Sequence, residues 1–213
     1  MQTQGLENPA KMAAISNRPR ALALAVALWL ALGLGASGQA QAAEDEYAAI
    51  RETLETCFVC HGPNGASTQA EFPILAGQHL YYLYVQMKDF KTGLRASAVM
   101  EEFVAVLSRD DMKTLAKFFS EQTWPNIGYR ADPALAGKGQ VATVAGQCVQ
   151  CHLGGYEGNS RIPQVAGQHP QYLKKTMMDF KTKDRMNSPA KSSLMQSFSA
   201  EDIAGMAEFL GGM

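Results

Sequence analysis

The sequence lacks three features that would have pointed to other kinds of protein. Neither sign of charge is in excess, because 213 residues carry 19 basic and 20 acidic side chains. Nucleic-acid binding needs a concentrated basic surface, so this balance argues against nucleic acid as a partner. No segment alternates apolar and polar residues as a half-buried strand does, which predicts an all-α fold. The apolar run 21–34 is also shorter than the about 20 residues that span a bilayer.

That short apolar run is typical of a secretory signal. Arg18 and Arg20 precede it, and the small-residue sequence Ala40-Gln41-Ala42 follows it. Basic residues, a short apolar core and a small-residue cleavage site are the three parts of such a signal. We therefore assign residues 1–43 as a signal peptide and expect a periplasmic protein. Retention of the run as a membrane anchor is the alternative.

Cysteine is scarce, and its four copies form two pairs, each completed by a histidine: Cys57-Phe58-Val59-Cys60-His61 and Cys148-Val149-Gln150-Cys151-His152. Cys-x-x-Cys-His is the attachment sequence of c-type haem. Thiols three residues apart lie on one side of a helical turn and can form thioethers to the two vinyl groups. The histidine then projects onto the iron. The sequence thus predicts two covalently bound haem c groups.

Other uses of these cysteines fit less well. A zinc site would need a second cysteine pair in each half, and none is present. A redox dithiol of the thioredoxin type would need a βαβ context. Disulfides suit the periplasm but do not require the repeated histidine.

The chain is a duplication. The segment 73–79 returns at 163–169, where Ala-Gly-Gln-His is repeated, and Asp89-Phe90-Lys91-Thr92 returns at 179–182. A break rich in proline, glycine and asparagine separates the copies. We predict a first domain over 44–122, a linker over 123–137 and a second domain over 138–213.

Apolar spacing inside each half is helical. It predicts a helix that ends at the first cysteine pair, a second helix in each half, and a capped last helix that starts after a serine. The residues that define them are Tyr47, Ile50, Leu54 and Cys57; Leu83, Met87 and Phe90, repeated as Leu173, Met177 and Phe180; and Ser108 with Asp111, repeated as Ser199 with Asp202.

With these motifs the chain resembles the dihaem class I cytochromes c of the cytochrome c4 type. More loosely, it resembles the dihaem subunit of flavocytochrome c sulfide dehydrogenases. The resemblance rests on both haem motifs, both Pro-x-x-Ala-Gly-Gln segments and the last-helix starts at 107–111 and 198–202. It implies two tandem class I cytochrome c domains with a pseudo-two-fold relation. It also implies that the carbonyls of Pro73 and Pro163 orient the proximal histidines His61 and His152.

The resemblance implies a distal methionine seven residues before the start of the last helix. Met100 holds that position in the first half, whereas Lys191 holds it in the second. Three alternatives follow for the second iron: Met195 one turn later, Lys191 as a neutral amine, or a five-coordinate site. We favour Met195, because a thioether ligand suits an electron carrier. The repeated His79 and His169 are read as helix-start or surface residues rather than ligands.

Two hexacoordinate haems indicate outer-sphere electron transfer, and no catalytic residue is assigned. Expected partners are redox proteins, namely a donor dehydrogenase or bc-type complex and an acceptor oxidase or reductase, with peripheral membrane association allowed. The alternatives are a haem-bearing accepting subunit of a dehydrogenase complex, or an enzyme that uses an unusual second haem. A distal cysteine is ruled out if all four cysteines bind haem.

Overall fold

The computed structural model describes residues 46–213. The assignments made for the N-terminal signal, its cleavage and its apolar run lie outside these residues. In the described part of the chain, none of the helices has the length and apolar character needed to cross a bilayer.

Residues 46–213 are helical apart from turns and loops, and residues 47–213 fold as one compact unit. Within them, β-structure is limited to isolated bridges between Arg95 and Arg185 and between Asn159 and Ile162, so the all-α prediction is confirmed. Short 3₁₀ turns cover Ala48–Ile50 and Pro63–Gly65. The α-helices are α1 Arg51–His61, α2 Leu80–Lys91, α3 Ala98–Ala105, α4 Arg109–Ser120, α5 Pro133–Ala145, α6 Val149–His152, α7 Pro170–Thr182, α8 Pro189–Gln196 and α9 Ala200–Gly211.

The helices form where the apolar spacing predicted them. α1 ends at the first haem motif and buries Leu54, and α2 and α7 bury the phenylalanines Phe90 and Phe180. Both last helices begin with a capping box, in which a serine side chain accepts from the third backbone N–H and the aspartate there accepts from the serine N–H. Such a cap satisfies two N–H groups that the helix itself leaves unpaired.

The second copy starts its first helix earlier than the first copy does. α5 begins at Pro133, inside the segment 123–137 that the sequence assigns to a linker, and the Asp132 side chain caps it. α5 crosses α9 at a glycine pair, where a Cβ on Gly139 would lie 1.9 Å from the carbonyl oxygen of Gly205. The two backbones can approach this closely only because both positions lack side chains.

The two copies bind each other through the glutamines of the repeated Ala-Gly-Gln-His segments. The Gln168 side chain accepts from the Ile74 N–H at 2.9 Å and donates to the Ile74 carbonyl at 3.1 Å. Gln78 makes the same two bonds with Gln164 of the other half, both at 3.0 Å. We refer to these paired bonds as the glutamine clamps. Their reciprocity is the direct sign of the pseudo-two-fold relation.

The repeated histidines cross the same boundary. His79 Nε2 donates to the Glu157 carbonyl at 2.8 Å, and His169 Nε2 donates to the Ser67 carbonyl at 2.9 Å. Both residues stand directly before a helix, α2 and α7, as the sequence predicted. His169 is buried rather than on the surface, because the opposite half covers it.

Candidate functional site

Each haem motif presents a histidine whose ring is fixed by a proline carbonyl. His61 Nδ1 donates to the Pro73 carbonyl at 2.9 Å, and His152 Nδ1 donates to the Pro163 carbonyl at 2.9 Å. The expectation for both prolines is confirmed. A proton held on Nδ1 leaves the Nε2 lone pair available for a metal. Burial also lowers the pKa of His61, which favours the neutral imidazole that metals bind.

The four thiols are unpaired, so the structure contains no disulfide among residues 46–213. Burial raises the pKa of the Cys57 thiol to about 11, and it raises the pKa of Cys148 as well. Reactive dithiols depend on lowered thiol pKa values, so these pairs do not fit a disulfide oxidoreductase. Free thiols at i and i+3 beside an oriented imidazole are the donor set that covalent haem attachment requires.

Met100 and Lys191 occupy the same place in two matching helices. Met100 is the third residue of α3, which follows Ser97, and Lys191 is the third residue of α8, which follows Ser188. Both helices have eight residues and both preceding serines are extended. Met100 is half-buried and packs against the core of the first half. The structure therefore reproduces the correspondence found by counting seven residues back from each last-helix start.

The Lys191 ammonium lies near the second haem motif. Its Nζ lies 5.4 Å from the centre of the Phe180 ring, and its charge reaches His152, whose pKa is lowered by burial and further by Lys191. Burial, followed by the charges of Arg185 and Arg95, lowers the pKa of Lys191 to about 8. Among residues 46–213 no hydrogen-bond acceptor or carboxylate pairs with this ammonium.

Met195 lies in the core of the second half. It is 7 % exposed and packs in a cluster with Ala142, Phe180, Ile203 and Met206. The residue at the same place in α3 is Val104, which is 1 % exposed and belongs to the core of the first half.

Two arginines that the sequence analysis did not single out lie beside the sites. Arg185 Nη2 donates to Gln86 Oε1 at 2.6 Å, and Arg95 Nη1 donates to the same oxygen at 3.0 Å. Arg95 also bonds the hydroxyl of Tyr172 in the opposite half. Arg95 and Arg185 occupy the same position in the two copies, and this repetition could have identified them from the sequence. Arginines are usually surface residues, however, so repetition alone does not indicate a buried role.

Cytochromes c4 are among both the related sequences and the related solved structures. No family model matches the chain. Cytochrome c4 of Azotobacter vinelandii is 34% identical over 193 residues, which covers 80% of this chain and 90% of that protein. The crystal structure of reduced recombinant cytochrome c4 from Pseudomonas stutzeri superposes with a TM-score of 0.69 at 28% identity, covering 80% of this chain and 97% of that one.

A second type of relative is named as the electron acceptor of an enzyme, thiosulfate dehydrogenase. A thiosulfate dehydrogenase electron acceptor from Stutzerimonas stutzeri is 27% identical over 169 residues, covering 74% of this chain and 78% of that protein.

Proposed function

The chain belongs to the cytochrome c4 family of dihaem electron-transfer cytochromes, and on that premise we propose that it shuttles electrons between redox proteins of the periplasm. Its donor would be a dehydrogenase or a bc-type complex, and its acceptor an oxidase or reductase. The observation that carries the proposal is the repeated site, in which two free thiols stand beside a histidine whose Nδ1 is held by a proline carbonyl.

The residues present fit two haem c groups. Cys57 and Cys60 would hold the first through thioethers and Cys148 and Cys151 the second, with His61 and His152 as proximal ligands. Met100 would be the distal ligand of the first haem. When bound, the haem supplies a one-electron couple, and a histidine–methionine ligand pair raises its reduction potential.

The charges near the second site also suit a haem. Arg95, Arg185 and Lys191 lie close enough for the arginine charges to lower the Lys191 pKa. Buried cations need counter-charges, and the propionates of a haem are carboxylates that bidentate guanidinium groups bind well.

Electron exchange would take place at the surface beside each motif. Val59 lies between the first two cysteines and is 75 % exposed, and Val149 lies between the second two cysteines and is 44 % exposed. Exposed apolar side chains near the cofactor suit brief contacts with several partners. Salt screens the charged contacts between redox partners, so we expect docking that weakens as salt rises.

An accepting subunit of a dehydrogenase complex is the second candidate. The similarity to a thiosulfate dehydrogenase electron acceptor favours it. Residues 46–213 offer no substrate site with a nucleophile and base in contact, so we propose no catalysis for them.

The test is haem quantification on protein exported from a host with the c-type maturation machinery. We expect two covalent haems per chain, and one in the double variant Cys57→Ser/Cys60→Ser, with the mirror variant at 148 and 151 as its control. Purification from the native host then separates the two candidates. A stable complex with a dehydrogenase supports the subunit, and a free protein that accepts and donates electrons supports the shuttle. A chain that carries no covalent haem after maturation contradicts both.

A further inference from the structure

We propose that Lys191 takes the place of methionine as the distal ligand of the second haem, so that the two haems of this chain are chemically different. The inference rests on the proposed function, because it presupposes a haem at His152. It selects among the alternatives that the sequence left open for this iron.

The first argument is the register of α8. Ser188 precedes α8 as Ser97 precedes α3, and the third residue of each helix is Lys191 and Met100 respectively. If Met100 reaches the first iron, the residue that the fold brings to the same place at the second iron is Lys191. No rearrangement of the backbone is needed.

The second argument is the position of Met195. Met195 and Val104 are the seventh residues of α8 and α3, and both are buried in the core of their own half. A methionine at this position fills the space that a valine fills in the other copy, which is a common use of its flexible side chain. To bind iron, Met195 would have to leave the cluster formed with Ile203 and Met206 and open a cavity there.

The third argument is that the Lys191 ammonium has no hydrogen-bond acceptor among residues 46–213. Lys91 and Lys181, which correspond to each other in α2 and α7, both have acceptors: Lys91 donates to the Leu107 carbonyl and Lys181 to the Phe198 carbonyl. Lys191 has no such acceptor among residues 46–213, and its only close partner is the Phe180 ring. A half-buried cation without a counter-charge is unfavourable, and loss of its proton with coordination to iron removes that cost.

The proposal has a consequence for the direction of electron flow. An amine donates to iron without the π-acceptor character of a thioether, so it stabilises the ferric form. The second haem would then have the lower reduction potential, because the histidine–methionine pair raises that of the first. Electrons would enter at the second haem and leave from the first.

The test counts iron–methionine bonds in the oxidised, haem-loaded protein through the near-infrared charge-transfer band that such bonds produce. We expect half of the intensity that two methionine-ligated haems would give, together with a separate low-spin amine band. Lys191→Met should double the methionine band and raise the lower of the two potentials. Lys191→Arg, which keeps the charge but cannot ligate, should remove the amine band.

Two further variants serve as controls. Lys174→Met adds a methionine at an exposed position of α7 and should leave the band unchanged, and Met195→Leu should also leave it unchanged. A full-strength band in the unmodified protein that Met195→Leu halves would overturn the proposal in favour of Met195. An amine band that is absent, with a high-spin second haem that Lys191→Arg does not alter, would overturn it in favour of an open site. Haem counts are taken on every variant, since fewer than two haems would contradict the proposed function instead.

Discussion

Replacing Gln168 with leucine tests whether the glutamine clamps hold the two halves together. The change removes the two bonds to Ile74, a residue that is only 1 % exposed, and the bond that Gln168 accepts from the buried His169 N–H. It strands two backbone N–H groups and a carbonyl where water cannot replace the lost partner. Each buried unsatisfied group costs about 1–3 kcal/mol. The apolar burial of leucine returns about 1–2 kcal/mol of this. Single substitutions rarely cost more than about 5 kcal/mol, so we expect Gln168→Leu to lower the free energy of unfolding by about 2–5 kcal/mol.

The mirror variant should cost less. Gln78→Leu strands the backbone groups of Gln164 and the N–H of His79, both of which are half-buried, so water can reach them and the expected loss is about 1–2 kcal/mol. Gln122→Leu is the matched control, because that glutamine bonds only the Phe118 carbonyl of its own half, one turn earlier in the chain. Its expected loss is about 0.5–1.5 kcal/mol.

The assay is urea unfolding of the haem-loaded protein, followed in parallel by helical circular dichroism and haem absorbance. We expect the order Gln168→Leu, then Gln78→Leu, then Gln122→Leu, from the largest loss to the smallest. In the two clamp variants the two signals should begin to separate, since the halves no longer unfold together. Equal losses for Gln168→Leu and Gln122→Leu would refute the reasoning, because they would mean that the bonds across the boundary add nothing.

Two further predictions concern helix packing and helix capping. Gly139→Ala should destabilise the protein by about 1–3 kcal/mol, because the added Cβ would clash with the Gly205 carbonyl. Gly137→Ala in the same helix adds a Cβ that contacts nothing and should stabilise the protein by up to about 1 kcal/mol. Thermal melts that show the same change for both variants would contradict this prediction. Ser108→Ala should cost about 1 kcal/mol by removing the cap of α4. The Ser108 bonds hold the pKa of Asp111 below its usual value. The loss of stability caused by Ser108→Ala should therefore be complete above pH about 4 and decrease as acid protonates Asp111. A loss of stability that does not change with pH would argue against the capping box.

The features that could be predicted from the sequence are those coded by neighbouring residues. The position of α1 follows from apolar residues three and four apart, and the starts of α4 and α9 follow from a serine with an aspartate three residues later. The haem motif is likewise a matter of five consecutive residues. Each of these patterns describes a geometry that a single helix or turn completes by itself, so no knowledge of the opposite half is needed.

The boundary between the halves could not be predicted in the same way. Repetition marked Gln78 and His79 with their copies as unusual, but their partners are backbone atoms 78 to 102 positions away. A backbone carbonyl has no sequence signature, so nothing in the sequence indicates which peptide group a glutamine will bind. The helix-start positions of His79 and His169 were predicted, but the burial of His169 was not, because its ring binds a backbone carbonyl of the other copy.

Features that lie within one half and bonds that join the two halves are constrained differently. This difference explains how the two copies can differ at the iron while they stay matched at the boundary. Each clamp satisfies a peptide group of the opposite half, so a change at Gln78 or Gln168 leaves unpaired backbone in a part of the chain that has not changed. A change at the third residue of α8 affects its own site alone. A methionine at position 100 and a lysine at position 191 can therefore give the halves different potentials without disturbing the arrangement that keeps them together. If the ligands differ as proposed, the duplication combines a fixed spacing of the two haems with a built-in direction for the electron.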